Sequence, residues 1–332
     1  MTSEGKRAGI VGIGAYLPDR IMTNEDLTRL VDTSDEWIQS RTGIKQRRIA
    51  DAAQAASDLG VIAARRALAD AGLAADEVEL IIVATATADM QFPATACIIQ
   101  EQLGLSRIPA FDVTAGCTGF IYALTIASQF IATGFCQTAL VIGTEVLSKV
   151  TNWTDRETCV LLADGAGAAV LQPVAEKRGI LAMKIGADGK GGKHLLLPVG
   201  GSRQPVTPAA IQANLNKLQM NGPEVFKFAM KMLPEVTEEA LASAGVRKDE
   251  VALIIPHQAN VKIIEAAARR LDLPLGKFMI NLDRYGNTSS ASIPIALQEA
   301  VETGRIRPGD LVVLTGFGAG LTWGSVVMRW GK

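Results

Sequence analysis

One stretch of this chain is written twice. Arg65 to Ile82 (RRALADAGLAADEVELII) aligns without gaps to Glu238 to Ile255 (EEALASAGVRKDEVALII), and 11 of the 18 pairs are identical. The shared residues include the Ala-Gly that ends a helical pattern and the Asp-Glu-Val that opens an apolar strand. A second echo follows, with Thr133-Gly134 ahead of the strand Ala139 to Gly143 and Thr303-Gly304 ahead of Leu311 to Leu314. The offset of about 170 residues far exceeds the roughly 20–50 residues of a solenoid period, so it predicts two copies of one α/β unit. Apolar strands without alternation, spaced by helices, predict sheets covered on both faces. Two such halves sharing their inner helices make a layered α/β/α/β/α protein, divided into residues 1–172 and 173–332.

A candidate chemical centre lies in the first copy. Ile108 to Val113 reads as a short strand, Phe120 to Ala127 as the start of a buried helix, and Cys117 stands between them. The unpartnered N–H groups and the dipole of a helix start favour a thiolate there. Gly116 and Gly119 allow a sharp turn and close approach of a substrate. In the second copy the corresponding turn falls near Tyr285-Gly286-Asn287-Thr288-Ser289-Ser290. Pseudo-twofold packing then brings Cys117 and Asn287 toward one centre, and His257, at the end of the repeated strand, reaches it too. Open α/β sheets place their sites at the carboxyl ends of strands. A thiol with an imidazole and a carboxamide suits attack on an acyl carbonyl with an anion to stabilise, and thiol hydrolysis uses the same residue types.

Other classes find little support. Four cysteines without CxxC spacing and only two histidines give no basis for a zinc site. A net charge of -1 offers no bulk attraction to nucleic acid or a membrane. The apolar runs are all broken short of a membrane span, and the opening residues Met1 to Arg7 have no apolar segment behind them, so a reducing cytoplasm is expected. Gly12-Ile13-Gly14 lacks the third glycine of a dinucleotide loop and is followed by Pro18. Gly186 to His194 misses the phosphate-loop pattern at two positions and reads as a flexible loop, with His194 facing solvent.

Several motifs in fixed order carry a resemblance. They are Val31-Asp32-Thr33-Ser34-Asp35-Glu36-Trp37, Arg41-Thr42-Gly43-Ile44, the Cys117 turn and Asp164-Gly165-Ala166-Gly167-Ala168. Further along come Glu224-Val225-Phe226-Lys227, Pro256-His257-Gln258-Ala259-Asn260, Gly286-Asn287-Thr288-Ser289 and Gly318-Ala319-Gly320-Leu321-Thr322-Trp323-Gly324. Nearly end to end, the chain resembles the β-ketoacyl-acyl-carrier-protein synthase III family of thiolase-like condensing enzymes.

The resemblance implies a five-layered thiolase-like fold and a ping-pong Claisen condensation without a cofactor, acyl-CoA being a substrate. Cys117 would take the primer acyl group, acetyl from acetyl-CoA by the resemblance, and His257 and Asn287 would stabilise the enolate from malonyl-acyl-carrier-protein. The backbone amides of Cys117 and Ala319 match the family's oxyanion hole. Trp37 and Arg156 would sandwich the CoA adenine, Arg41 would meet its phosphates, and Asn221-Gly222 would line the pantetheine tunnel. Pro223 follows where some members carry Asn. Phe92 matches the residue that crosses a homodimer interface to close the partner's acyl pocket, where a bulky ring favours a short primer. Lys227, Lys231, Lys262, Arg269 and Arg270 would form a basic lip for the acidic carrier protein. A starter enzyme of a polyketide or other secondary pathway would use the same residues. A Cys-His-Asn thioester hydrolase and a silent dimeric scaffold are the readings from other classes.

Overall fold

The computed structural model describes residues 7–175 and 178–332; the opening segment Met1 to Lys6, read above for a leader, lies outside the described residues. Two sheets dominate. The first runs in the order β1 (Arg7–Tyr16), β5 (Asp164–Val174), β4 (Ala139–Val146), β2 (Leu80–Ala84), β3 (Ala110–Val113). β4, β2 and β3 are mutually parallel, while β5 is antiparallel to both of its neighbours. The second runs β7 (Val251–Pro256), β8 (Leu311–Gly318), β9 (Thr322–Arg329), β6 (Gly179–Ala187). Only β7 and β8 are parallel there. Strand for strand the second sheet repeats the first, and the place of β3 is held by a single parallel bridge from Phe278 to Ile254. The chain crosses from one sheet to the other between Val174 and Gly179, two residues beyond the boundary read at 172.

The helices that matter are α1 (Asp35–Thr42), α2 (Ala56–Ala71), α3 (Thr95–Gln102), α4 (Gly119–Ala132), α5 (Gly222–Ala244), α6 (Val261–Leu271) and α7 (Ser292–Glu302). α2 and α3 cover the outer face of the first sheet, and α5 and α6 that of the second. α4 and α7 lie between the sheets, inside the one core cluster that draws on both, with Phe120, Ile121 and Leu124 facing Ile293, Leu297 and strand residues of each half. This is the α/β/α/β/α arrangement that the repeat predicts. Its middle layer explains why α4 is apolar almost all round: of its residues only Gln129 and Ala132, near its end, are exposed.

The repeated segments fold alike. α2 and α5 end on left-handed glycines, Gly72 (φ 69°) and Gly245 (φ 66°), and each is followed by a short turn into β2 or β7. Gly12 and Gly14 have a packing reason instead of a nucleotide to bind. A Cβ at either would fall 2.3 or 2.4 Å from backbone atoms of Ala67, so they let α2 lie directly on β1. β1 continues to Tyr16, and no helix opens after those glycines. No described helix is long and apolar enough to cross a membrane.

Candidate active site

The cysteine turn is a short 3-10 segment, Gly116–Thr118, that passes directly into α4. The 173-residue counterpart of Cys117 is Ser290, within the matching 3-10 segment Ser289–Ala291 ahead of α7. Gly116 (φ 54°) and Ser289 (φ 47°) even share the left-handed conformation. Glycine is required at the first position. A Cβ on Gly116 would stand 2.6 Å from the Ala319 nitrogen, and one on Gly318 would stand 2.5 Å from the Cys117 nitrogen. The backbone amides of Cys117 and Ala319 are thereby held side by side.

Burial changes the expectation for the thiol. Desolvation pushes the Cys117 thiol up to about 12, against the pull toward the thiolate that a helix start exerts. The nearby Glu145 carboxylate raises it further, while the Ser289 side chain and the cysteine's own amide act the other way.

His257 follows the end of β7 and is anchored by its own N–H, which donates to Thr315 O at 2.8 Å. Its ring is buried, edge-on to Phe317 at 5.4 Å between centroids, with Nδ1 2.7 Å from Ser292 Oγ. Burial lowers its pKa to about 3, so the imidazole is neutral near pH 7. The Gln258 N–H also donates to Ser292 Oγ, at 3.3 Å; when the Ser292 hydroxyl gives its hydrogen to Nδ1, the ring hydrogen sits on Nε2. Asn287 is oriented similarly. Its Oδ1 accepts from the Ser289 N–H at 2.9 Å, leaving the NH2 group as its free donor.

The depressed histidine has a stability consequence. Between about pH 6.5 and about pH 3 the unfolded chain holds a proton on this residue that the folded chain does not, so stability falls as pH drops through that window. His257→Gln should flatten the pH dependence of urea unfolding there, by at most about 1.4 kcal/mol per pH unit. Curves of equal slope for both proteins would show that the ring titrates normally.

Cys117, His257 and Asn287 all line one cavity of about 770 Å³. Its walls are mostly apolar, including Leu161, Met220, Val225 and Phe317. Toward its mouth it is lined by Trp37, Arg41, Gly222 and Lys262. Trp37 and Arg41 come from α1, whose N-cap Ser34 accepts the Trp37 N–H and whose end is set by left-handed Gly43. The Arg156 guanidinium stacks 4.7 Å above the Trp37 ring and donates to Asp32 O at 2.8 Å. That spacing leaves no room for a third plane between them, so Arg156 would have to swing out for a purine to enter. Asn221 uses its side chain to cap α5, accepting the Glu224 N–H at 3.3 Å, and Gly222 and Pro223 are the residues of that corner that line the cavity.

Residues 111–189 match the family described as 3-oxoacyl-(acyl-carrier-protein) synthase III, and residues 241–330 match its C-terminal part. The β-ketoacyl-(acyl-carrier-protein) synthase III of Symbiobacterium thermophilum is 55% identical over 324 residues, 98% of each chain. This chain belongs to that family. The synthase III of Caldanaerobacter subterraneus subsp. tengcongensis is also 55% identical, over 325 residues and 98% of both chains. Among solved structures, the synthase III of Aquifex aeolicus superposes with a TM-score of 0.90 at 46% identity, covering 97% of this chain and 100% of its own. A priming β-ketosynthase from a polyketide pathway superposes with a TM-score of 0.92 at 32% identity, covering 100% and 98%.

In this synthase III, Lys227, Lys231, Arg269 and Arg270 line a second, shallow groove between α5 and α6, with Arg270 paired to Glu235 at 2.8 Å. Lys262 stands apart from them at the mouth of the main cavity, 3.5 Å from Glu265. Phe92 is 83% exposed on a loop away from the cavity lining. His194 is half-buried instead of solvent-facing, because its carbonyl accepts the Asn221 N–H and holds that corner in place. Ser289, Ser292, Phe317 and Glu145 escaped the sequence reading. Only Glu145 left a legible signal: a lone acid in the otherwise apolar or small-residue strand Ala139–Val146, every residue of which is buried.

Proposed function

We propose that this synthase III joins a short primer acyl-CoA to malonyl-acyl-carrier-protein by decarboxylating Claisen condensation, the step that initiates fatty acid synthesis. Convergence of a thiol, a neutral imidazole and an oriented carboxamide on one apolar cavity carries the reading. Cys117 Sγ attacks the thioester carbonyl, whose oxygen becomes an anion between the amides of Cys117 and Ala319, and CoA leaves as its thiolate. Malonyl-acyl-carrier-protein then loses carbon dioxide, and the electron pair moves into an enolate. His257 Nε2–H and the Asn287 amide donate to its oxygen. A neutral histidine fits this role because it offers a hydrogen bond without protonating, and so quenching, the carbanion. The carbanion attacks acyl-Cys117 and expels the cysteine thiolate.

At the mouth, Trp37 and Arg156 would flank the CoA adenine, Arg41 and Lys262 would meet phosphate, and Gly222 would edge the pantetheine arm. Lys227, Lys231, Arg269 and Arg270 would steer the acidic carrier protein. The scheme draws on no cofactor. Fatty acid synthesis is favoured over polyketide priming by 55% identity to the former class of relative against 32% to the priming ketosynthase.

Incubation with labelled acetyl-CoA and then malonyl-acyl-carrier-protein, followed by protein mass, tests the reading. Acetylation at Cys117 followed by 3-oxoacyl product supports it, whereas free acetate without product indicates a hydrolase. The exposed Phe92 fits a homodimer in which each ring closes the partner's acyl pocket. Phe92→Thr should then shift the kcat/KM ratio of branched longer primers to acetyl-CoA upward by about tenfold or more. An unchanged ratio would remove Phe92 from the pocket.

A further inference from the structure

Two buried hydroxyls sit at the seam between the halves, and neither has a part in the scheme above. Thr118 directly follows Cys117, and Thr322 opens β9, paired across the hairpin with Gly318. Both residues are buried, and their Oγ1 atoms meet at 2.8 Å. Each also closes the turn it belongs to. Thr118 Oγ1 lies 2.7 Å from Ala115 O and Thr322 Oγ1 lies 3.1 Å from Ala319 O, in both cases the carbonyl three residues earlier. Thr322 Oγ1 in addition reaches across the seam to Ala115 O at 2.9 Å.

The two hydroxyls have two hydrogens between them. One has to lie in the 2.8 Å contact, because bare oxygen lone pairs at that distance repel, and the other goes to Ala115 O or Ala319 O. Every arrangement therefore ties the cysteine turn to the β8–β9 turn. These are the turns that carry the Cys117 and Ala319 amides, one from each half. Gly116 and Gly318 let the turns approach, and Gly320 (φ 144°) lets the threonine face the seam, since a Cβ on it would stand 2.7 Å from Thr322 Cγ2. The second half shows that the scaffold needs no hydroxyl at the Thr118 position. The counterpart of Thr118, 173 residues on, is Ala291, equally buried and unable to make such a link. Ala291 follows Ser290, which stands in place of the nucleophile, so the hydroxyl occurs beside the reacting thiol and not where the thiol is absent.

We propose that Thr118 and Thr322 are positioning residues of the oxyanion hole: their linked hydroxyls fix the spacing of the Cys117 and Ala319 amides, and with it how firmly the hole holds the acyl carbonyl oxygen. The inference rests on the condensation reading, which supplies the acyl group on Cys117. Because the hole draws one donor from each half of the chain, any slip between the halves moves one amide without the other. A donor helps a developing oxyanion most when it is already in place, so that no reorganisation adds to the barrier. A hydrogen bond across the seam supplies a directional restraint that apolar packing of the same volume does not. The enolate step is spared, because His257 and Asn287 are oriented by Ser292 and by the Ser289 amide instead.

Thr118→Val and Thr322→Val keep the side-chain volume and remove one hydroxyl each. Either should slow acetylation of Cys117 by about tenfold to a hundredfold in single-turnover mass measurements, while carbon dioxide release from malonyl-acyl-carrier-protein proceeds as in wild type. Thr118→Ser and Thr322→Ser should keep most of the wild-type rate, and the double valine variant should lose little more than one single, because the hydroxyls form one link. Infrared difference spectra after acetylation with carbonyl-labelled acetyl-CoA read the hole directly. In wild type the acetyl-Cys117 carbonyl should give one narrow band, at lower frequency than a simple thioester in an apolar solvent, a measurement that needs no variant. In the valine variants the band should move to higher frequency or broaden. A wild-type band that is broad or unshifted, a wild-type band in a folded valine variant, serine variants as slow as the valine ones, or equal losses in both half-reactions would each overturn the proposal. Failure of wild type itself to acetylate would instead overturn the condensation reading.

Discussion

Cys117→Ser should lose acyl transfer almost completely. The pocket holds the thiol up to about 12, and the cause is burial, which acts on any ionising group placed there. A serine hydroxyl ionises far less readily than a thiol to begin with, so the same surroundings leave it without useful alkoxide. The expected loss in priming is about ten-thousandfold or more, of the order seen when a covalent nucleophile is removed. Folding should be unaffected, since an oxygen fits where the larger sulfur did. Carbon dioxide release from malonyl-acyl-carrier-protein should persist, because the donors assigned to the enolate lie on other elements. Protein mass after incubation with acetyl-CoA is the check. Acetylation surviving in the variant would move the nucleophile to another cysteine. Cys136 and Cys159 are poor candidates, since both are buried and neither lines the cavity. Cys97 points its sulfur at Ala110 O from the far side of β3 and lines no part of the cavity.

The layered fold was legible because it is encoded twice. Left-handed glycines at Gly72 and Gly245, fixed by a backbone angle and not by composition, mark the same point in both copies. Cys117 and His257 were legible for a related reason: His257 follows a strand of the repeated unit and Cys117 the strand paired beside its first copy, and a strand's carboxyl end has a predictable position. Less could be read of what surrounds them. Within the turn that corresponds to Cys117 the matching position is Ser290, and Asn287 lines the cavity from three residues earlier, its Oδ1 accepting the Ser289 N–H. The surroundings of the thiol are not legible, because a sequence shows a helix start but not what packs around it. Trp37 and Arg156 are expected on opposite faces of an adenine; with nothing between them the two side chains stack directly. Ser292 and Phe317 carry no signal of their own. They matter only because α7 and β8 meet at His257.

His257→Ala should divide the two half-reactions in the opposite sense to Cys117→Ser. The ring is neutral, and its Nδ1 is occupied by Ser292, so it is not arranged to take the thiol proton; acetylation of Cys117 should continue near the wild-type rate. Decarboxylation should fall by about a hundred- to a thousandfold, the usual effect of removing one preorganised donor from a developing oxyanion. Asn287→Ala should act in the same direction, and the double variant should lose less than the product of the two, because both donors serve one oxygen. Alanine leaves the Ser292 hydroxyl facing a void, so a loss of stability could mimic a loss of chemistry. His257→Gln separates these, since it refills most of the volume and can still meet Ser292. A folded Gln variant that acetylates but does not release carbon dioxide would place the histidine's effect in the enolate step. Equal loss of both half-reactions in that variant would place His257 with the nucleophile instead.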